Sequence, residues 1–181
     1  MREEVLDMEL EHCFGCGKKN PIGLQLVFSQ VERLRSSEMT EARPDMAVEA
    51  VFRSELKHQG WPGVQHGGIT GALLDEAAGY IPYFLGEIAM TAAMDVSYLQ
   101  PIRTGETVFV GAQLRSRSRR LLVVLAQISD REGVCRAQAT AKLMILMPRQ
   151  REQLGLADVQ AASRSGVPDH SDSEADDRER Q

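Results

Sequence analysis

The chain has 181 residues, of which 43% are hydrophobic and 26% charged, and its formal net charge is −5. This length and balance are typical of one globular domain and exclude two ordinary ones. Residues 151–181 carry eight acidic and four basic side chains, so the rest of the chain is close to neutral. Without a basic field, the body is not expected to bind nucleic acid.

The N-terminus and the cysteine content bear on where the protein works. No apolar run reaches the roughly 20 residues that span a bilayer, so no membrane partner is expected. Residues 1–5 lack the apolar stretch of a signal peptide, and the three cysteines are too few for a disulfide framework. The expected location is therefore cytoplasmic.

Residues 1–22 form the first predicted unit. A short helix is predicted at 1–11, followed by a turn with the sequence CFGCG at 13–17. Its two cysteines offer half of a four-ligand zinc site, with His12, His58 or a second copy of the pair across a dimer as further ligands. A redox pair normally opens a helix in a βαβ unit, which is not predicted here. We therefore predict a tight turn with reduced thiols and no metal.

Residues 23–148 form the second predicted unit, an α+β domain. Alternating apolar and polar residues predict strands at 23–34 and 47–52, and a glycine- and proline-rich loop follows at 59–63. A long apolar helix comes next and is expected to end near Gly86. Four further strands are predicted at 90–99, 106–114, 121–129 and 134–147. This order predicts an antiparallel sheet wrapped around one long central helix.

Residues 149–181 form the third predicted unit, a polar and acidic tail. The tail has no aromatic residue and too little apolar surface to offset its ordering entropy, so a disordered terminus is expected. A short helix at 152–162 is the one element that we predict within it. A solvating terminus is the favoured interpretation over a partner-binding arm.

The central helix carries the candidate catalytic and substrate-binding residues. His66, Gly67 and Gly68 lie at its start, where glycine lets a ligand approach the backbone and free N–H groups can form an oxyanion hole. Asp75 lies two turns further along, among leucines and alanines that predict a largely buried helix. An unpaired buried acid is costly, so Asp75 is the candidate functional acid. Glu76, about 100° round the helix, is the alternative and more consistent with a surface or interface residue.

The spacing between Gly67 and Asp75 predicts a second chain. Eight helical residues span about 12 Å along the axis. One carbonyl group cannot contact both positions of the same helix, so the two must come from neighbouring antiparallel helices if they act on one bond. We therefore predict a homodimer, or a dimer of dimers, with its sites at the interface.

Three motifs in a fixed order resemble those of one family. They are HGG at 66–68 with LLDE at 73–76, SYLQPIRTGE at 97–106, and CFGCG at 13–17 with NPIGL at 20–24. Over residues 12–147 the chain resembles the hotdog-fold acyl-CoA thioesterases of the phenylacetate-degradation (PaaI) type, in the branch that opens with the CFGCG turn. The resemblance implies a hotdog fold and hydrolysis of an acyl-CoA thioester, with coenzyme A as part of the substrate and no separate cofactor.

The resemblance also implies roles for single residues. Asp75 matches the catalytic carboxylate, as a nucleophile or as a general base for water. Gly67 matches the glycine whose N–H polarises the thioester carbonyl, and His66 matches the histidine that supports the loop or the sulfur side. Thr91 matches a residue that orients the carboxylate or the water.

Other positions are predicted to contact the substrate. Gly68 is expected to do so beside Gly67. Several family members carry Asn or Gln six residues before the histidine, where this chain has Gly60, and the adjacent Gln59 is the expected substitute. Arg117 and Arg119, in a basic hairpin, are candidates for holding the phosphates of coenzyme A, and a solvated turn is the alternative.

Two other functions stay open at this stage. An acyl-CoA hydratase or dehydratase on the same fold would normally pair a histidine with an acid on the central helix, and this helix has no histidine after His66. A non-catalytic acyl-CoA-binding module is the other alternative. The sequence does not indicate which acyl group is bound.

Overall fold

The computed structural model describes residues 10–32, 34 and 46–159. Most of the helix predicted at 1–11 and the tail beyond residue 159 lie outside these residues. Within them, six strands form one sheet, and two α-helices accompany it. The strands are β1 (Ser29–Gln30), β2 (Ala47–Arg53), β3 (Ala89–Tyr98), β4 (Thr107–Ser118), β5 (Leu121–Ser129) and β6 (Cys135–Ile145), and the helices are α1 (Gly67–Phe84) and α2 (Pro148–Gln153).

The sheet is antiparallel throughout and has the strand order β1-β2-β4-β5-β6-β3. Strand β3 is therefore one edge and the short β1 is the other. Helix α1 lies across the sheet and contacts β2 to β6. The predicted antiparallel sheet around one long helix is confirmed.

Helix α1 begins and ends at identifiable signals. The His66 side chain caps its first turn, and Gly86, with φ of 78°, follows the C-cap at Leu85. A positive φ favours glycine and stops the helix, as the sequence predicted. The buried face of α1 is formed by residues spaced three or four apart: Thr70, Leu73, Leu74, Ala77, Ala78, Ile81 and Pro82.

The prediction that α1 is buried on nearly every side is correct for one face only. Leu73 and Leu74 are fully buried against the sheet, whereas Asp75 and Glu76 are half-buried and Gly67 is exposed. The sheet covers one side of the helix, and Asp75 and Glu76 lie outside the face that it covers.

The strand predicted at 23–34 is largely wrong, because only Ser29–Gln30 pairs with β2. The N–H groups of Leu24 and Leu26 donate instead to Phe14 O (2.8 Å) and Gly15 O (2.9 Å). The apolar alternation reports burial correctly, since Leu24 and Leu26 join the core. Alternation of burial does not specify which backbone a segment pairs with.

Strand β3 contains a β-bulge at Ala92. Thr91 lies opposite Leu143 of β6, but Ala93 lies opposite Lys142, so Ala92 is the extra residue. Residues directly opposite each other in an antiparallel pair share a face. Leu143 is buried on the helix side of β6, and the bulge therefore places Thr91 on that side as well.

Strand β4 continues to Ser118, four residues past its predicted end at 114. The arginine-rich segment 115–120 is therefore mostly strand and pairs with the start of β5, and only Arg119 and Arg120 form the turn. Arg119 adopts a φ of 44°, the left-handed conformation that a tight turn requires.

Helix α2 begins at Pro148 and ends at Gln153, so the short helix predicted at 152–162 is misplaced. Proline is favoured in the first helical turn because its missing N–H leaves no bond unmade. Gly155, with φ of 70°, ends the helical conformation. Residues 160–162 lie outside the described residues. Among the described residues, no helix is long and apolar enough to cross a membrane.

Candidate active site

The first turn of α1 leaves one backbone donor free. Gly68 N–H donates to Nδ1 of His66 (2.9 Å), and Ile69 N–H and Thr70 N–H donate to His66 O (3.0 and 3.2 Å). Gly67 N–H makes no hydrogen bond within the part of the chain that the structure describes. It is exposed at the positive end of the helix dipole, so it is available to an anionic or carbonyl oxygen.

The loops behind this helix start are cross-braced. His66 N–H donates to His58 O (2.8 Å) and Gln65 N–H donates to Ile102 O (2.9 Å). The buried Gln65 side chain donates to Thr70 Oγ1 (3.0 Å), which ties the loop to the first helical turn. These bonds fix the Gly67 N–H direction before any ligand binds, as electrostatic catalysis requires.

Gly60 and Gln59 explain how this loop departs from the family pattern. A Cβ at Gly60 would lie 3.1 Å from both Cα and Cδ2 of His66, so a side chain fits there only if His66 shifts. Gln59 Oε1 accepts from Gly63 N–H (2.7 Å) and closes the loop. The side-chain oxygen of Gln59 therefore already has a hydrogen-bond partner within the protein, and contact between Gln59 and the substrate stays a prediction.

His58 has a structural setting away from the cysteines. Its Nδ1 accepts from Glu55 N–H (2.9 Å), and its ring packs 4.9 Å from that of Phe52. Burial, together with the charge of Lys57, lowers the pKa of His58 below its ordinary value of 6.5, so the neutral form is favoured. The suggestion that His58 could complete a zinc site with the cysteines is not supported, since no described metal-ligand cluster contains it.

The acid of the site is paired with a hydroxyl from the neighbouring strand. Thr91 Oγ1 donates a 2.7 Å hydrogen bond to Asp75 Oδ1. The second oxygen of Asp75 accepts no hydrogen bond from the described residues, and the half-buried side chain keeps solvent access. The structure thus brings together two residues that are sixteen apart in the chain, as the sequence predicted.

Tyr98 is a site residue that sequence reasoning missed. Its hydroxyl donates to Gly67 O (3.3 Å). A Cβ added at Gly67 would lie 3.7 Å from the Tyr98 ring, and one added at Gly71 would lie 3.6 Å from the Tyr98 hydroxyl oxygen. It belongs to the SYLQP motif, which indicated only a family resemblance. Its contact depends on how β3 crosses the helix, and no local pattern reports that crossing.

The free Gly67 N–H and the Asp75 carboxylate lie apart within one chain. Gly67 and Asp75 lie on the same uninterrupted helix, so about 12 Å of rise separates them. Thr91 joins Asp75, and Tyr98 joins Gly67, through strand β3. Within one chain, the Gly67 N–H and the carboxylate that Thr91 contacts therefore do not face the same point.

Glu76 is not the surface residue that the sequence suggested. The N-terminal turn covers it, and Cys13 Sγ lies 3.8 Å and 4.0 Å from its two carboxylate oxygens. Burial raises the pKa of Glu76 above its ordinary value, opposed by hydrogen bonds from the two thiols. Burial also raises the pKa of the Cys16 thiol, and Cys13, Cys16 and Cys135 form no disulfide among the described residues.

Arg117 and Arg119 lie beyond the C-terminal end of α1. Arg117 forms an ion pair with Glu87, just after the helix. Arg119 is exposed and contacts no charged or polar partner among the described residues. Since α1 is about 27 Å long, neither arginine reaches Gly67 of its own chain.

The comparisons with known proteins identify the fold class. The thioesterase superfamily profile matches residues 62–137, which include the helix start, Asp75, Thr91 and Tyr98. The E. coli PaaI protein of the phenylacetic acid degradation operon superimposes with a TM-score of 0.59 at 17% identity, over 80% of this chain and 93% of that one. These likenesses show that the chain has the hotdog fold.

Individual relatives carry thioesterase names. The chain is 34% identical over 107 residues to acyl-coenzyme A thioesterase THEM4 of Rattus norvegicus, which covers 59% of this chain and 46% of that protein. It thus spans under half the length of this relative. A hypothetical thioesterase of Streptococcus pneumoniae, solved with coenzyme A, superimposes with a TM-score of 0.55 at 18% identity, over 66% of this chain and 88% of that one.

Proposed function

We propose that this protein hydrolyses acyl-CoA thioesters to a free acid and coenzyme A. The observation that carries the proposal is that one helix presents both a free Gly67 N–H at its capped start and a carboxylate, Asp75, that accepts a hydrogen bond from Thr91. The likeness to a named acyl-coenzyme A thioesterase and to a thioesterase solved with coenzyme A supports this substrate class.

The proposed chemistry uses two groups on opposite sides of one carbonyl. Gly67 N–H donates to the thioester oxygen as negative charge develops there. Asp75 attacks the carbonyl carbon or takes a proton from the attacking water, and both routes use the same placement. On the water route, the C–S bond then breaks, and coenzyme A leaves as a thiolate that gains a proton while the free acid is released. On the nucleophilic route, breaking the C–S bond leaves the acyl group as a mixed anhydride on Asp75, and water hydrolyses this anhydride to the free acid and the restored carboxylate. The proposed reaction takes coenzyme A as part of its substrate and needs no separate cofactor.

The remaining predicted site residues support these two groups in the proposal. His66 holds Gly68 N–H and so leaves Gly67 as the donor, while Gly68 lines the approach to it. The Streptococcus pneumoniae protein has been crystallised with an aspartate replaced by alanine, and with a threonine sixteen positions further along replaced by alanine. The same spacing separates Asp75 from Thr91.

A second chain completes the proposed site. Strand β3 is a ten-residue sheet edge, and long exposed edges are normally covered. Met90, Tyr98 and Leu99 on and beside it are 51%, 59% and 49% exposed, so this edge also presents large apolar side chains that a second copy could cover. We propose that two copies meet along β3, as a dimer or a dimer of dimers, so that Gly67 of one copy faces Asp75 of the other.

A substrate panel tests the activity directly. We expect the full chain to release free thiol from at least one class among short, long and aromatic acyl-CoAs, measured with a thiol-reactive dye. The melting temperature of the protein is then measured in the presence of each acyl-CoA of the panel. Acyl-CoAs that raise the melting temperature without thiol release would contradict hydrolysis and favour the non-catalytic binding module.

Arg117 at the end of strand β4 and Arg119 in the following turn are expected to contact the phosphates of coenzyme A. Replacing Arg117 and Arg119 together by alanine should raise KM for acyl-CoA about 2–5-fold with little change in kcat, because the contacts are exposed and made equally in ground and transition states. An acyl-pantetheine, which lacks the nucleotide phosphates, should show no change in KM. Arg131→Ala, at an exposed turn elsewhere, is the matched control. An equal rise in KM for both substrates would contradict phosphate binding.

A further inference from the structure

The turn at residues 13–17 packs its backbone directly on the carboxylate of Glu76. Gly17 N–H donates to Cys13 O (3.0 Å), which closes the turn. A Cβ at Gly15 would lie 2.1 Å from both Cδ and Oε2 of Glu76, so a side chain there would require the carboxylate to move. The turn therefore brings its two thiols to the acid at close range.

Three metal-ligating atoms meet at this contact. The Sγ atoms of Cys13 and Cys16 and a carboxylate oxygen of Glu76 all lie within 4.8 Å of one another. Each of the three residues is half-buried, so an ion from solvent can reach them. Among the described residues, this is the one group of this kind that the fold assembles.

The separations are close to those of a tetrahedral zinc site. With Zn–S of about 2.3 Å and Zn–O of about 2.1 Å, tetrahedral angles place sulfur and oxygen about 3.6 Å apart and two sulfurs about 3.8 Å apart. Cys13 Sγ lies 3.8 Å from Glu76 Oε1. The limit of 4.8 Å on the other pairs means that side-chain shifts of about 1 Å or less are needed.

We propose that Cys13, Cys16 and Glu76 bind a divalent transition metal ion. Two thiolates with one carboxylate favour zinc over calcium or magnesium, which take oxygen ligands. Three protein ligands leave the fourth tetrahedral position to water or another small ligand. The sequence predicted no metal because only His12, His58 or a second copy of the pair were considered as further ligands, whereas the third ligand lies 63 residues beyond Cys13.

The ion would join two parts of the chain that otherwise meet through packing and through hydrogen bonds from the thiols to Glu76. Leu24, Leu26 and Phe28 follow the turn and pack in the core, with the Phe28 ring 4.6 Å from that of Tyr80 on α1. Metal binding would fix the start of this segment to α1 at the residue after Asp75. The expected role is structural, and it does not depend on the proposed hydrolysis.

Metal titration of the full chain tests the site. The reduced protein is stripped of metal with a chelator and titrated with Co²⁺, whose thiolate charge-transfer absorption reports sulfur ligands. We expect one Co²⁺ per chain with this absorption, its displacement by one equivalent of Zn²⁺, and a higher melting temperature in the zinc form. A chain that shows no thiolate absorption and binds no stoichiometric zinc would overturn the proposal.

Variants separate the proposed ligands from the remaining thiol. Cys13→Ser together with Cys16→Ser should abolish the Co²⁺ absorption, and Glu76→Gln should weaken Zn²⁺ binding more than tenfold. Cys135→Ser, which removes the buried cysteine of β6, is the control and should keep one ion per chain. Loss of the absorption in Cys135→Ser alone, or a Cys13–Cys16 disulfide that persists in reducing buffer, would assign the thiols another role.

Discussion

Asp75→Asn is expected to lower kcat for acyl-CoA hydrolysis by about 10²–10⁴-fold, which is the range that a positioned proton-transfer group contributes. Asparagine keeps the shape of the side chain, and its carbonyl oxygen can still accept the hydrogen bond from Thr91. It cannot attack a carbonyl carbon or take a proton from water. The loss should therefore fall on kcat, with KM and the melting temperature nearly unchanged, as measured by thiol release and thermal unfolding.

Asp95→Asn is the matched control for this variant. Asp95 is exposed on the same strand as Thr91, so its replacement removes one carboxylate near the site without touching Asp75. It should retain wild-type kcat. If Asp75→Asn hydrolysed acyl-CoA within a few-fold of the wild-type rate, Asp75 would not be the catalytic acid.

Gly67→Pro is expected to lower kcat by about 10²–10³-fold, the cost of losing one oxyanion donor. Proline removes the N–H at a position where the helix does not use it, and it is favoured in the first turn of a helix. The preceding residue, His66, already has φ of −65° and ψ of 135°, the extended conformation that proline requires before it. The variant should therefore keep the fold and lose the donor.

Gly67→Ala separates the effect of the N–H from that of the added side chain. Alanine keeps the N–H, and its Cβ would lie 3.7 Å from Cε1 of Tyr98, an ordinary contact. Its kcat should stay within a few-fold of wild type. A similar loss of kcat in Gly67→Ala and Gly67→Pro would mean that crowding, and not the missing N–H, lowers the rate.

The same two inactive variants also test the shared site. In a mixed dimer of Gly67→Pro and Asp75→Asn chains, one site has both lesions and the other has neither. Random reassociation should therefore restore about a quarter of the wild-type activity. A mixture that stays as inactive as its parents would place Gly67 and Asp75 in sites that two chains do not share.

Local patterns were sufficient for most of the helices and strands. The helix over Gly67–Phe84 follows from apolar spacing with glycine signals at both ends, and the hairpins of β4, β5 and β6 follow from alternation. The pairing of Asp75 with Thr91 was also predicted, through the resemblance of its spacing to a family pattern. The helix and the hairpins depend on residues that are close in the chain, whereas the contact between Asp75 and Thr91 joins a helix to a strand and was predicted through the resemblance alone.

Contacts between distant segments were not predictable in the same way. The contact of Tyr98 with Gly67 depends on the crossing of strand and helix, and the burial of Glu76 depends on where the turn at 13–17 folds back. Neither the crossing of β3 over α1 nor the position of the turn leaves a periodic signal in the sequence. The strand predicted at 23–34 failed for the same reason, because the alternation shows which side chains are buried but not their backbone partners.

The bulge in β3 makes the number of residues between Thr91 and Tyr98 important for the site. Thr91 and Tyr98 are an odd number of residues apart, so a regular strand would direct them to opposite sides of the sheet. Ala92 adds one step and turns both toward α1, although it contributes no chemistry of its own. Deleting Ala92 would thus separate Asp75 from the Thr91 hydroxyl as effectively as replacing either residue. A comparison with relatives should therefore consider the number of residues in this strand as well as their identity.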